Sequence, residues 1–215
     1  MRFAPFLLAF IALVPSAPVG RVLAALVPID EGPRQPDFVA FRQALTRAIA
    51  DRDAPALLGV VHPDIRNSFG GDDGVEAFKR IWGPEQRSSS VWQELSDVLR
   101  LGGTFDGPDT FVAPYVFSRW PSEFDPFEHV ALVGSRVRVR SDPNADAHVL
   151  ATLDYAILQL SADKGYPQRP WTSVRLDDGR SGFVAANLVR SPIDYRAYFV
   201  RSNGRWQMTI FIAGD

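Results

Sequence analysis

The three histidines, at positions 62, 129 and 148, are the side chains of this 215-residue sequence best suited to proton transfer near neutral pH. His62 stands before Pro63, with Asp64 and Asp72 close by in sequence. It could act as a general base in a cavity between helices and a sheet. The favoured alternative is a histidine at a helix C-terminus, stabilised by the helix dipole. His129 and His148 fall beside turns and are expected on the surface. The three spacings make no His-x-x-x-His pattern, and there is no cysteine, so no metal site is expected. No Gly-x-Ser-x-Gly elbow is present; the nearest constellation, Ser68-Phe-Gly-Gly-Asp72, reads as a turn. Asp72-Asp73 and Asp177-Asp178 are adjacent pairs whose side chains point apart, which argues against a two-carboxylate glycosidase. No phosphate loop and no dinucleotide fingerprint occurs. The expectation is a chain with no catalytic residues and no cofactor.

Recognition is better supported. Tyr155, Tyr166, Trp171 and Asn187 combine aromatic faces, which can stack on sugar rings or peptides, with polar tips that fix orientation. Tyr166 sits in a loop rich in glycine and proline and is expected to be the most exposed of them. Trp171 and Phe183 fit a core pattern better than a ligand-facing one. Arg136, Arg138 and Arg140 form a basic stripe that could meet carboxylates, although such stripes on strands are usually solvated faces.

The stretch that must position these residues runs from His129 to Arg190. Arg136-Val-Arg-Val-Arg140 alternates with a period of two, which puts both valines on one face of a strand. Ser141 to Asp146 are turn formers. Val149–Leu153, Ala156–Leu160, Thr172–Leu176 and Ser181–Val184 read as further strands, the last two joined at Asp178-Gly179, a hairpin dipeptide. Val137-Arg-Val-Arg-Ser-Asp-Pro, Val149-Leu-Ala-Thr-Leu153, Trp171-x-x-Val174, Asp178-Gly179, Gly182-Phe183-Val184 and Asn187-Leu188 together resemble the bacterial SH3 (SH3b) family in order and spacing. Arg138 stands where many members carry Asn. The resemblance implies a small barrel that binds a cell-envelope ligand, either peptidoglycan or a protein partner.

Composition sets the compartment. The formal net charge is −2, which gives no global case for binding nucleic acid or anionic membranes. Arg2 followed by the apolar run Phe6–Val14 reads as an export signal, with cleavage favoured after Ala24 over a site near Ala17. An uncleaved anchor is the alternative. Loss of Arg2 and Arg21 from a net −2 leaves −4. The nine-residue run is short for a membrane span, and no other segment suggests one. The expected location is periplasmic or extracellular.

The remainder reads as helices followed by strands. Asp37 is expected to cap a helix carrying Phe38, Phe41, Leu45, Ala48 and Ile49 on one face, and Asp53 a short one carrying Leu57, Leu58 and Val61, stopped by Pro63. Asp73-Gly-Val-Glu76 and Ser90-Val-Trp-Gln93 have capping-box spacing. Ile65–Phe69 and Thr110–Phe117 suggest strands, the second bent at Pro114. Tyr195–Val200 and Arg205–Ile212 flank Asn203-Gly204, a strong hairpin signal. This order of elements, with Gly204-Arg-Trp206 and Phe211 at its end, resembles NTF2-like proteins. The predicted fold class is an α+β domain, helices on a curved antiparallel sheet, with a small all-β barrel inserted before the last hairpin. Signal 1–24, α+β domain 25–128 with 191–215, and barrel 129–190 are the predicted divisions. A hairpin packed on a tandem barrel is the other arrangement considered. In the runner-up function, the α+β domain binds or turns over a small molecule in a cavity around His62, and the barrel serves for docking.

Overall fold

The structure, a computed structural model, describes residues 24–161, 166 and 169–214. All of the expected export signal except Ala24 lies outside the described residues. Pro36 opens α1 (Pro36–Asp51), which buries Phe38, Leu45, Ala48 and Ile49. Asp37 lies inside this helix and not at its cap. Its carboxylate accepts from the Phe38 N–H at 3.0 Å, from Trp206 Nε1 at 3.0 Å and from Arg201, and so ties the helix start to the last hairpin. Asp53 caps α2 (Ala54–Leu58) as its position suggests, accepting from the Ala56 N–H at 3.0 Å.

Beyond α2 the structure departs from the expectation. Val61 and His62 begin a strand, β1 (Val61–Arg66), instead of finishing a helix. Pro63 is tolerated because β1 is an edge strand, paired on one side only. α3 (Val75–Trp82) starts after Gly74, which adopts φ 89°, a conformation that an aspartate cap would resist. Asp73 instead accepts from the Asn67 N–H at 3.2 Å and braces the preceding loop. α4 (Val91–Arg100) has Ser90 in helical geometry, and the free Val91 N–H is taken by Ser89 Oγ at 3.2 Å. Both capping boxes therefore fail: Asn67 takes the acceptor in the first, and Ser89 reaches the donor in the second.

The first sheet joins β1, β2 (Thr104–Phe105) and β3 (Thr110–Ala113) to β11 (Arg196–Ser202) and β12 (Arg205–Ile212), in the order β1-β12-β11-β3-β2. It is antiparallel except for β1, which runs parallel to β12, a departure from the all-antiparallel expectation. Pro114 ends β3, and the chain turns through α5 (Tyr115–Ser118). The helices α1–α4 and one face of this sheet share an aromatic core. Phe38 is its centre, with ring centroids 4.3 Å from Phe111, 4.9 Å from Trp206 and 5.6 Å from Phe105.

All strands between residues 129 and 190 belong to a second sheet. They are β4 (His129–Leu132), β5 (Val137–Arg140), β6 (Val149–Leu153), β7 (Ile157–Leu160), β8 (Trp171–Arg175), β9 (Ser181–Ala185) and β10 (Val189–Arg190). Their order is β10-β4-β7-β8-β9-β5-β6, antiparallel throughout. Val130, Leu132, Val137, Val139, Leu158, Val174 and Val184 are buried together with no helix residue of the first domain among them. A sheet that buries one face against itself has to coil. It does not close: β10 and β6 remain unpaired edges, so a closed barrel is not formed. β10 has only two residues and already pairs with β4, which leaves it too short to complete a ring.

A third core joins the sheets. Ala131 and Ile157 of the second sheet pack with Tyr115 and Val116 of α5, Leu101 after α4, and Leu26 near the start of the described chain. Leu26 donates its N–H to the Tyr155 carbonyl at 2.8 Å, and the Ala24 carbonyl accepts from the Ile157 N–H at 2.8 Å.

Candidate functional site

α4 has two faces. Val91, Trp92, Leu95 and Val98 point into the aromatic core. Gln93, Glu94, Asp97 and Arg100 follow helical spacing on the other side and line a cleft of about 560 Å³. This volume falls within the usual range for small-ligand pockets. The opposite wall comes from the second sheet and its exit: Asn187 in the turn after β9, Val189 and Arg190 of β10, then Ile193, Asp194 and Tyr195. Tyr166 and Arg169, from the connection between β7 and β8, close one end.

Two of the four residues singled out from sequence thus meet in one cleft. Asn187 is exposed there. Tyr166 is not the free ring that its loop composition suggests. Its hydroxyl donates to Asp194 Oδ2 at 2.7 Å, and the ring packs against the core of the second sheet. Burial and the neighbouring Asp194 carboxylate both push its phenol well above the ordinary tyrosine range. Asp194 also accepts from the Ser191 N–H at 3.1 Å, so Tyr166 is a strut that fixes the turn leading into β11.

Trp171 and Tyr155 lie elsewhere. Trp171 is half-buried, opposite Ala185, and joins no core cluster; Val174 of β8 and Leu176 just after it enter the core instead. Phe183 is half-buried, between the buried Gly182 and Val184. Tyr155 occupies a turn at φ 50°, where its backbone receives Leu26. The arginine stripe separates as its alternation suggests: Val137 and Val139 are buried while Arg136 and Arg138 are exposed, and Arg140 bonds the Ala147 carbonyl at 2.8 Å.

His62 lies on β1, where its Nδ1 accepts from the Asp64 N–H at 3.1 Å, and it does not line this cleft. The space between helices and sheet is occupied by Phe38, Phe78, Trp92, Trp206 and their neighbours. His129 Nδ1 is held at 3.0 Å by the Asp125 carbonyl. Among the described residues, no group of three or more His, Asp or Glu side chains could hold a metal ion. Nor is any helix among them long and apolar enough to cross a membrane.

The electrostatics of the cleft come from residues that sequence reasoning passed over. Glu94 is half-buried, and burial raises its carboxyl above the ordinary glutamate value; Asp97 and Asp194 push the same way, while Arg190 and Arg169 pull it down. Arg190 donates to the Tyr195 carbonyl at 2.7 Å and lies 3.5 Å from Asp194 through Nε. Asp97 is occupied by Gln93 at 3.0 Å and Arg100 at 3.5 Å. The spacing of Glu94, Asp97 and Arg100 on the polar face of α4 was a usable signal. The pairing of Arg190 with Asp194 depends on the turn through Pro192, which no spacing rule reads.

No family model matches this chain, and no curated protein matches it. The cleft's own chemistry therefore carries the functional argument. Several oriented charges of both signs face one cleft, which equips it to hold a charged ligand.

Proposed function

We propose that this is an exported, non-catalytic protein of the periplasm or the extracellular space that binds cell-wall peptidoglycan through the cleft between α4 and the second sheet. Residues 129–190 act as an SH3b-like binding unit without a closed barrel, and residues 25–128 with 191–215 act as an NTF2-like carrier. One observation carries this reading: Tyr166 and Asn187, chosen from sequence as recognition residues, meet there with Glu94, Arg169 and Arg190. Wall stem peptides offer carboxylates, amines and amides, the groups these side chains recognise. The filled aromatic core between helices and sheet supports a carrier role and ranks a small-molecule cavity around His62 below it.

The test is co-sedimentation of the chain 25–215 with insoluble peptidoglycan, with Asn187→Ala and Arg169→Ala beside it. Retention that drops in both variants supports the reading. Undiminished retention would move binding away from this cleft. No retention at all would replace the wall by an envelope protein as the partner.

A further inference from the structure

The charges of the cleft are unevenly satisfied. Asp97 and Asp194 each have hydrogen-bond donors within the protein. Glu94 has none from its side chain among the described residues, although it is half out of water. A carboxylate in that position gains from any cation brought to it. Arg190 is its nearest strong neighbour electrostatically, yet no ion pair joins them, so a gap separates the two charges. Arg190 is only 12% exposed, and its enclosed Nε faces Asp194 Oδ2 at 3.5 Å without a hydrogen bond, so it keeps donor capacity for a second carboxylate. Arg169 is exposed at the mouth of the cleft and makes no ion pair among the described residues. Glu94 on one wall thus has no cation of its own and Arg169 at the mouth has no anion among the described residues, across a cleft large enough for a dipeptide.

We propose that the cleft takes a ligand that carries a free ammonium and a free carboxylate within a dipeptide's reach of each other, the ammonium against Glu94 and the carboxylate against Arg169 and Arg190. A ligand of either single charge would satisfy one wall and leave the other facing it unpaired. A ligand carrying both is recognised by charge order as well as by shape, and chains with blocked ends are refused. This rests on the reading that the cleft is a binding site, and it adds which pair of charged groups is bound.

The experiment uses alanylalanine as the probe, titrated into the chain 25–215 and followed by NMR. Four forms are compared: free D,D, free L,L, N-acetylated and C-amidated. The expected result is that each cap weakens binding about tenfold or more, the effect of a charge-assisted hydrogen bond lost. Glu94→Gln should abolish the penalty for acetylation but keep that for amidation, and Arg169→Gln should do the reverse. Because the caps act on the probe, the result does not depend on any variant folding. Equal affinity for capped and free forms overturns the proposal, as does the absence of binding by every form. If the L,L form is preferred, the proposal stands and the wall reading fails, since free L,L dipeptides come from protein breakdown and not from the wall. If capping has no effect while wall retention persists, the wall reading stands and this proposal fails.

Discussion

At the scale of single residues, Glu94 shows what an open binding site costs. Burial raises its carboxyl above the ordinary value, so the folded protein holds that proton more tightly than the unfolded chain does. Its contribution is therefore most favourable below the ordinary glutamate value and declines as pH rises through the raised one. Arg190, Arg169, Asp97, Asp194 and Tyr195 share its surroundings and set the size of the effect. Glu94→Gln removes the titration. The variant should be more stable than the parent at neutral pH, and the difference should shrink on acidification through that window. Urea unfolding across pH reads this directly, and a pH-independent difference would sink the argument. The same variant should bind the free dipeptide worse, so stability and binding move in opposite directions at this position.

At the scale of elements, the strands of the second sheet approach closely where β9 meets β5 and β6. A Cβ placed on Gly182 would come 2.6 Å from Val139 Cγ1, 3.0 Å from the Arg140 carbonyl and 3.2 Å from Leu150 Cδ1. Gly182→Ala should destabilise by about 1–3 kcal/mol, the usual cost of overpacking. Thermal unfolding of the variant checks it; an unchanged midpoint would mean the strands can part there freely. Strands like these were legible in the sequence because alternation is a local signal. Val137 and Val139 announced their face, and Asp178-Gly179 and Asn203-Gly204 announced their turns. Caps were less legible. Asp73 and Ser90 have the right type and spacing, but Asn67 claims the first and Ser89 displaces the second, and neither competition is visible in a spacing rule. Val61 and His62 were assigned to a helix because Leu57, Leu58 and Val61 keep helical spacing, while the pairing with β12 that makes them a strand lies across the whole chain. The cleft was half legible for the same reason. Tyr166 and Asn187 could be chosen by type, but Asp194 meets Tyr166 across 28 residues of sequence, beyond any local pattern.

At the scale of the whole molecule, the third core makes the two sheets dependent on each other. Ala131 and Ile157 would be exposed in an isolated 129–190 unit, and Leu101, Tyr115 and Val116 would lose their cover in the remainder. The chain 25–215 should therefore unfold in one calorimetric transition, not two. Leu26, only 6% exposed, is a sensitive point of that junction, and Leu26→Ala should cost about 2–5 kcal/mol, as for other buried leucines. Two separate transitions, or a Leu26→Ala variant as stable as the parent, would show that the sheets hold themselves up independently.

The order of strands in the first sheet has a consequence in time. β11 lies between β3 and β12, and β12 is the strand that β1 joins, so the interior of that sheet is made from strands synthesised after all the strands they pair with outside the hairpin. Until Arg196–Ile212 has emerged, β1 has no partner, and Phe38 and Phe111 lack the Phe199 and Trp206 that cover them. A growing chain must keep its helices waiting, open to proteases and to whatever escorts nascent chains. A chain stopped before Arg196 would fail around Phe38 and β1, far in sequence from the missing residues.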